Sequence, residues 1–300
     1  MLRRFGLAVG GAGVALALTA AGCTGAGGSS GSGSAGGSAS PAAAAGSGGT
    51  ASSTAAAAIL AAVKVAGNDK SVTVNGTVTS PEGTGQVSGQ ENFAPDFALA
   101  MNFTEGSVKV AEDWVDGTIY IGTPELAGEL GGKQWISLSL DQMGSFGKTF
   151  AAEIDVVKNT NPQQLLEPLL ASGDLTEVGT ETVDGVSATH YSGTVDPATA
   201  FDTAQAKQYL TPAQIQELQQ LDSAAGSTKQ KIDAWVGSDG LPVRITAADT
   251  GATGTTTVQL DFSGWGKPVT VTAPPSNQVL NVTSLVSDSA SASASASAKD

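Results

Sequence analysis

Alternation of apolar and polar residues with a period of two is the feature that most constrains this chain. In SVTVNGTVTS (71–80), Val72, Val74 and Val78 alternate with polar residues. FALAMNF (97–103) places Phe97, Leu99, Met101 and Phe103 on one face, and KQWISLSL (133–140) does the same with Ile136, Leu138 and Leu140. Successive side chains of a strand point to opposite faces, so this pattern specifies half-buried antiparallel strands. Residues 106–122, GSVKVAEDWVDGTIYIG, read as two strands joined at Asp116-Gly117. VDGVSATHYSGTV (183–195), KQKIDAWVGSDGLPVRITAAD (229–249) and GTTTVQLDFSGWG (254–266) extend the pattern, several of them turning at Asp-Gly, a strong hairpin signal.

Helical texture interrupts the strands. Thr54 is followed by AAAAILAAVKVAG, with Ile59, Leu60 and Val63 on one stripe and Gly67 as a stop. NPQQLLEPLLASG (161–173) has Asn161 in the capping position and Pro162 at the first helical position, where its missing N–H is harmless, while Pro168 should kink the helix or end it early. TPAQIQELQQL (211–221) carries Thr211 and Gln214 in capping-box spacing. The order helix, strands, helices, strands implies an α+β fold. We expect a curved antiparallel sheet with helices packed on one face, an arrangement that can leave an apolar cavity between its layers.

The two ends read differently. Arg3 and Arg4 precede an uncharged run from Phe5 to Ala21, then small residues, then Cys23, the single cysteine of the chain. This is the layout of a secretory signal peptide over residues 1–22. Ala20-Ala21-Gly22-Cys23 resembles the bacterial lipobox, with Ala20 at the usual leucine place, which implies that Cys23 carries diacylglycerol and becomes the mature N-terminus. Each buried CH₂ of an acyl chain adds roughly 0.8 kcal/mol, so two or three chains hold a domain at a membrane surface. Ordinary cleavage at the same small residues, releasing a soluble protein, is the competing reading. Residues 23–54, rich in Gly, Ser and Ala, cannot bury anything and suit a flexible tether. Residues 287–300, SDSASASASASAKD, read as a disordered tail, leaving 55–286 as one folded domain.

Composition narrows the partners. The net charge is −14, and loss of Arg3 and Arg4 with the leader leaves 12 bases against 28 acids, a net of −16. Such acidity argues against nucleic acid and against electrostatic attachment to anionic headgroups. An exported domain with no second cysteine has no internal disulfide.

The blocks DWVDGTIYIG, GKQWISLSL, VDGVSATHYSGTVDP, DAWVGSDGLPVRI and DFSGWGKPVTVTAPP follow the lipobox and tether in this order. Together they resemble the actinobacterial LppX/LprAFG lipoprotein family over nearly all of residues 55–285. The resemblance implies a LolA/LolB-like half-barrel with helices over its concave face, enclosing a hydrophobic cavity. It also implies binding or movement of lipids and acylated glycolipids, with Cys23 the one position that matches a defined motif. The expected place of such a protein is the cell membrane, lipid-anchored through Cys23 on the extracytoplasmic face.

Catalytic chemistry finds little support. His190 is the only histidine, and Asp184 and Ser192 lie close in sequence, but no Gly-x-Ser-x-Gly elbow accompanies them. One histidine and one lipid-committed cysteine cannot build a zinc site, and no acidic run has EF-hand spacing. Asp116, Asp184 and Asp239 are explained by Asp-Gly turns, and no cofactor is implied. Asn75, Asn102 and Asn281 open sequons that a bacterial lipoprotein does not need. Candidates for lining an apolar cavity are Phe97, Leu99, Met101, Phe103, Trp114 and Trp135; the same residues suit a packed core, and Trp235 and Trp265 also sit in or beside strands. The functional expectation is an extracytoplasmic binder or carrier of a lipid or other acylated ligand. The alternative is an envelope sensor or protein-interaction module of the same fold.

Overall fold

The computed structural model describes residues 53–93, 96–122, 124–128, 130–139, 162–196, 200, 207–208, 210–212, 215–216, 229–251 and 254–283. Cys23, the leader, residues 23–52 of the tether, Leu140, Asn161, Gln214 and the Ser/Ala tail lie outside these residues, so the expectations placed on them are not addressed by the fold. Ser53 and Thr54, expected to end the tether, are instead the first residues of a helix.

Helix α1 (Ser53–Ala66) opens the described chain, followed by strands β1 (Ser71–Ser80), β2 (Gly83–Asn92), β3 (Ala98–Glu105), β4 (Val108–Val115), β5 (Thr118–Gly122) and β6 (Trp135–Ser139). Helix α2 (Pro162–Ala171) leads into β7 (Thr176–Val183), β8 (Val186–Val195), β9 (Lys229–Gly237), β10 (Pro242–Gly251), β11 (Gly254–Ser263) and β12 (Val279–Asn281). All twelve strands form one curved, open sheet in the order β12-β6-β5-β4-β3-β2-β1-β11-β10-β9-β8-β7. Two meanders, β1–β6 and β7–β11, are thus sewn together where β1 pairs with β11. Neighbours are antiparallel except β12, which lies parallel to β6.

The Asp-Gly signals act as expected in two places. Asp116 and Gly117 (φ 52° and 69°) and Asp184 and Gly185 (φ 50° and 83°) are both left-handed, the backbone of a tight turn whose twist matches its flanking strands. Asp239-Gly240 works differently. Only Gly240 has a positive φ (82°), and Asp239 Oδ1 accepts from the Leu241 N–H at 3.1 Å.

Three strands escape the alternation argument. In β2 the residues that share the apolar face are Gly85, Val87, Gly89 and Glu91, so only one aliphatic side chain marks the phase. Strand β7 is an edge strand whose side chains are mostly exposed, and β12 is three residues long and defined by its partner β6.

The helices pack on one face of this sheet. In α1, Ala55, Ala56, Ile59, Ala62, Val63 and Ala66 are buried, a helical stripe of mostly small residues that lets α2 approach closely. Gly67 N–H returns to the Val63 carbonyl at 3.0 Å where the helix ends. Leu166, Leu169 and Leu170 of α2 join the same core, and the helix runs through Pro168 to Ala171 rather than stopping at the proline. Of the third helical segment, the described part shows Ile215 N–H bonded to the Thr211 carbonyl at 3.0 Å, one helical turn.

Glycine makes one close approach of the sheet to α2 possible. A Cβ on Gly193 of β8 would lie 2.9 Å from Ser172 Cβ and 3.1 Å from Leu169 Cδ2. Gly193→Val should therefore lower stability by about 1–3 kcal/mol, the usual cost of overpacking, whereas Gly128→Ala, with open space around it, should be near neutral. Urea melts of the two variants check this; equal midpoints would mean that α2 is not seated on Gly193.

Candidate functional site on the inner face of the sheet

Register assembles the inner face from the alternating positions. One transverse row runs Val72–Glu91–Leu99–Trp114–Ile119–Leu138 across β1 to β6. The next runs Phe262–Val74–Gly89–Met101–Glu112–Ile121–Ile136, and a third brings Ala234, Ile245, Leu260, Val87 and Phe103 into line. Gly89 is required in the second row because a Cβ there would run into the Ala100 carbonyl and the Met101 side chain. With α1 and α2 the rows form one continuous apolar cluster.

Five of the six candidate lining residues meet on this face. Leu99, Met101 and Trp114 are fully buried, Phe103 is half-buried, and Phe97 sets its ring edge against Trp114 with centroids 5.0 Å apart and planes at 78°. Trp135 does not join them. It pairs with Gly122, one residue out of phase with Ile136, and its indole lies over Gly122 on the outer face. The alternation in KQWISLSL already puts Trp135 and Ile136 on opposite faces, so grouping Trp135 with the lining was inconsistent with its own strand.

Two residues on the inner face are chemically out of place. Glu91 is 2% exposed and Glu112 5%, and Oε1 of each has no hydrogen-bond partner. A buried polar group left unpaired costs about 1–3 kcal/mol, more if charged. Burial pushes the Glu91 carboxyl well above the carboxylate range. The Glu112 carboxyl is pushed up to about 7, by burial first and then by the neighbouring Asp113. Sequence reasoning passed over both residues. The available signal was a charged residue at an apolar phase, since Glu112 lies two residues from both Val110 and Trp114.

The outer face is polar. His190 pairs across the strands with Trp235 and stacks on it, with ring centroids 4.2 Å apart and planes at 15°. Its Nδ1 lies 3.0 Å from Glu181 Oε1 and its Nε2 3.0 Å from Asp233 Oδ1. The Glu181 carboxyl is held below its ordinary range by the Trp235 N–H (2.8 Å) and by His190. Burial pushes Asp233 up, but hydrogen bonds from Lys231, Ser192 and His190 outweigh it and hold this carboxyl low. Asp184 pairs with Arg244 at 3.3 Å, and Arg244 also bonds Asp261. His190, Ser192 and Asp184 therefore do not assemble as a triad: both ring nitrogens are occupied by other carboxylates, and Ser192 is bonded to Asp233. A depression of ≈ 290 Å³ on the same face is lined by Asn75, Gln86, Ser88, Asn102, Gln259 and Asp261 among others. It is a polar groove on the far side of the sheet from the apolar rows. Among the described residues no group of three or more His, Cys, Asp or Glu side chains is placed to hold a metal ion, and no helix is long and apolar enough to cross a membrane.

The raised carboxyls make stability depend on pH. Below pH 4.5 Glu112 is protonated both folded and unfolded; between 4.5 and about 7 only the unfolded chain releases the proton. Stability should therefore fall as pH rises through this window, by about 1.4 kcal/mol per unit and about 3 kcal/mol in all. Glu91 acts in the same direction, while the lowered carboxyls of Asp174 and Asp233 act in the opposite sense below pH 4. Denaturant melts from pH 5 to 8 should show the decline in the parent chain and a flatter profile in Glu112→Gln. Parallel profiles would mean that Glu112 is solvated.

No protein-family model matches the chain. An uncharacterised 31.2 kDa protein of Streptomyces griseus is 34% identical over 159 residues, 52% of this chain and 50% of that protein. A Streptomyces coelicolor protein named as a candidate lipoprotein is 28% identical over 155 residues, 50% of this chain and 43% of its own length. The chain thus spans about half the length of the curated relatives it matches. Among solved structures, LprF from Mycobacterium bovis superposes with a TM-score of 0.50 at 20% identity, covering 75% of this chain and 99% of LprF. Among the described residues, the twelve-stranded open sheet with its two packed helices has the fold of LprF.

Proposed function

We propose that this chain is an extracytoplasmic lipoprotein, anchored to the cell membrane through Cys23, that binds and carries a lipid or other acylated ligand against the inner face of its sheet. The observation that carries the reading is the apolar phase of that face, from Phe262 and Val74 through Leu99, Met101 and Trp114 to Ile119, interrupted in its rows by Glu91 and Glu112. Burying an acyl chain there recovers about 25 cal/mol per Å² of apolar surface and needs no catalytic group. The fold it shares with LprF supports the reading, as do the lipobox-like residues before Cys23 and the Gly/Ser/Ala tract after it, which suits a tether leading from Cys23 to the folded domain that opens with α1 at Ser53.

Two measurements test it. Cys23→Ala should move the protein from the membrane fraction to the soluble extracytoplasmic fraction, and the parent chain should yield an N-terminal peptide carrying acyl mass on Cys23. An unmodified Cys23 would remove the anchor from the proposal. Native mass spectrometry of the exported Cys23→Ala chain should show a co-purifying mass that organic solvent extracts as lipid. A clean apo mass, unchanged after incubation with envelope lipid extract, would overturn the carrier reading and favour an interaction module.

A further inference from the structure

The inner face holds two groups that an acyl-chain lining does not need. Glu91 on β2 and Glu112 on β4 flank β3, opposite Leu99 and Met101 respectively. Strand spacing of ~4.8 Å and a rise of ~3.4 Å per residue put their Cα atoms roughly 12 Å apart, the reach of a small headgroup with its linkage. The Oε1 of each is buried and unpartnered, while the side chains between them, Leu99, Met101 and Trp114, offer only apolar contact along the row. A buried polar atom without a partner calls for one, and on a proposed ligand face the ligand can supply it.

The chemistry of the partner follows from what surrounds the acids. Among the described residues, Lys109, Lys229, Lys231 and Arg244 all take the opposite phase of their strands, so no Lys or Arg of the sheet shares the inner face. A phosphate or sulfate headgroup would meet two acids and no cation from the described strands. An ammonium group would require both carboxyls to ionise while buried, with the desolvation cost that entails. A hydroxyl both donates and accepts, as an uncharged carboxyl does, so the two pair without burying charge.

We infer that Glu91 and Glu112 are the polar recognition points of the inner face and hydrogen-bond hydroxyl groups of the bound amphiphile, which makes the ligand a hydroxyl-bearing lipid. The inference rests on the lipid-binding reading given above. It turns the two costliest residues of the face into its specificity elements: an acyl chain fits anywhere along the apolar rows, whereas a hydroxyl satisfies an orphaned oxygen only beside Glu91 or Glu112. In this arrangement the rows supply affinity and the two acids set register.

The test uses the full exported chain carrying Cys23→Ala, delipidated and titrated with three probes: 1-monopalmitoylglycerol, methyl palmitate and hexadecylamine. The first two share an acyl chain and differ in their hydroxyls. The parent should bind monopalmitoylglycerol at least tenfold more tightly than methyl palmitate, the scale of one or two hydrogen bonds to groups otherwise left unpaired. In the Glu91→Leu/Glu112→Leu double variant this preference should fall to within twofold, with methyl palmitate bound no more weakly than by the parent. The Glu91→Gln/Glu112→Gln pair, which keeps donors and acceptors at both positions, should retain most of the preference and guards against a variant that fails to fold. Equal affinities in the parent, or a preference that survives the leucine pair, overturns the inference and leaves lipid binding standing. Tightest binding of hexadecylamine, lost in the glutamine pair, overturns it in favour of ionic recognition. Binding of none of the three overturns the inference together with the reading beneath it.

Discussion

The architecture depends on the seam between β1 and β11. Seven residue pairs, from Thr73–Ser263 to Thr79–Thr257, join strands almost two hundred residues apart and make one twelve-stranded sheet out of two meanders. At its centre Gly76 has no Cβ, and one built there would strike the Gln259 carbonyl and lie 2.8 Å from Leu260. Without this seam each meander would expose an edge strand, a row of unpaired backbone groups open to aggregation. Pairings of such long sequence separation close late in folding because loop entropy is lost before the contacts are gained. We therefore expect local hairpins at Asp116-Gly117 and Asp184-Gly185 to precede the seam, a sequence that stopped-flow analysis of seam variants would resolve.

Once the seam sets the register, the two faces follow from the pleat. One collects Val, Leu, Ile, Met, Phe and Trp into rows that meet α1 and α2; the other collects Thr, Asn, Gln, His and the charge pairs. The His190 network belongs to this second face, where it fastens β7, β8 and β9 through His190 contacts to Glu181 and Asp233 and the Trp235 N–H donated to Glu181. His190 and Asp233 are largely covered there, while Glu181 is the exposed end of the network. The inner face is where polar atoms are expensive, and among the described residues Oε1 of Glu91 and Oε1 of Glu112 lack partners there.

Much of this was legible in the residues. Strict alternation placed β1, β3, β4, β5 and β6, Asp-Gly marked the tight turns, and the stripe of Ile59, Leu60 and Val63 ahead of Gly67 marked α1. What escaped did so for identifiable reasons. Strand β2 has glycine and glutamate where an apolar residue would advertise the phase, because Met101 fills the space over Gly89. Strand β7 is mostly exposed at the sheet edge, and β12 exists by virtue of β6. Trp135 was drawn to the lining by its aromatic character although its own strand assigned it to the other side. The shared face of Leu99, Met101, Phe103 and Trp114 was readable because period two binds each residue to a face. The two buried acids were not, because a glutamate in a strand looks solvated until its neighbours across the sheet are known.

Most strand segments, the face their side chains take, the tight turns and the stripe of Ile59, Leu60 and Val63 in α1 follow from the residues alone. These are local properties, set by backbone stereochemistry and by the periods of helix and strand. Only the tertiary structure decided which strands are neighbours, that β1 meets β11, that α2 rests on Gly193, and that Glu91 and Glu112 lie buried beside Leu99 and Met101. Those outcomes depend on contacts between residues far apart in the chain, and burial is a property of the assembled surface rather than of any one segment.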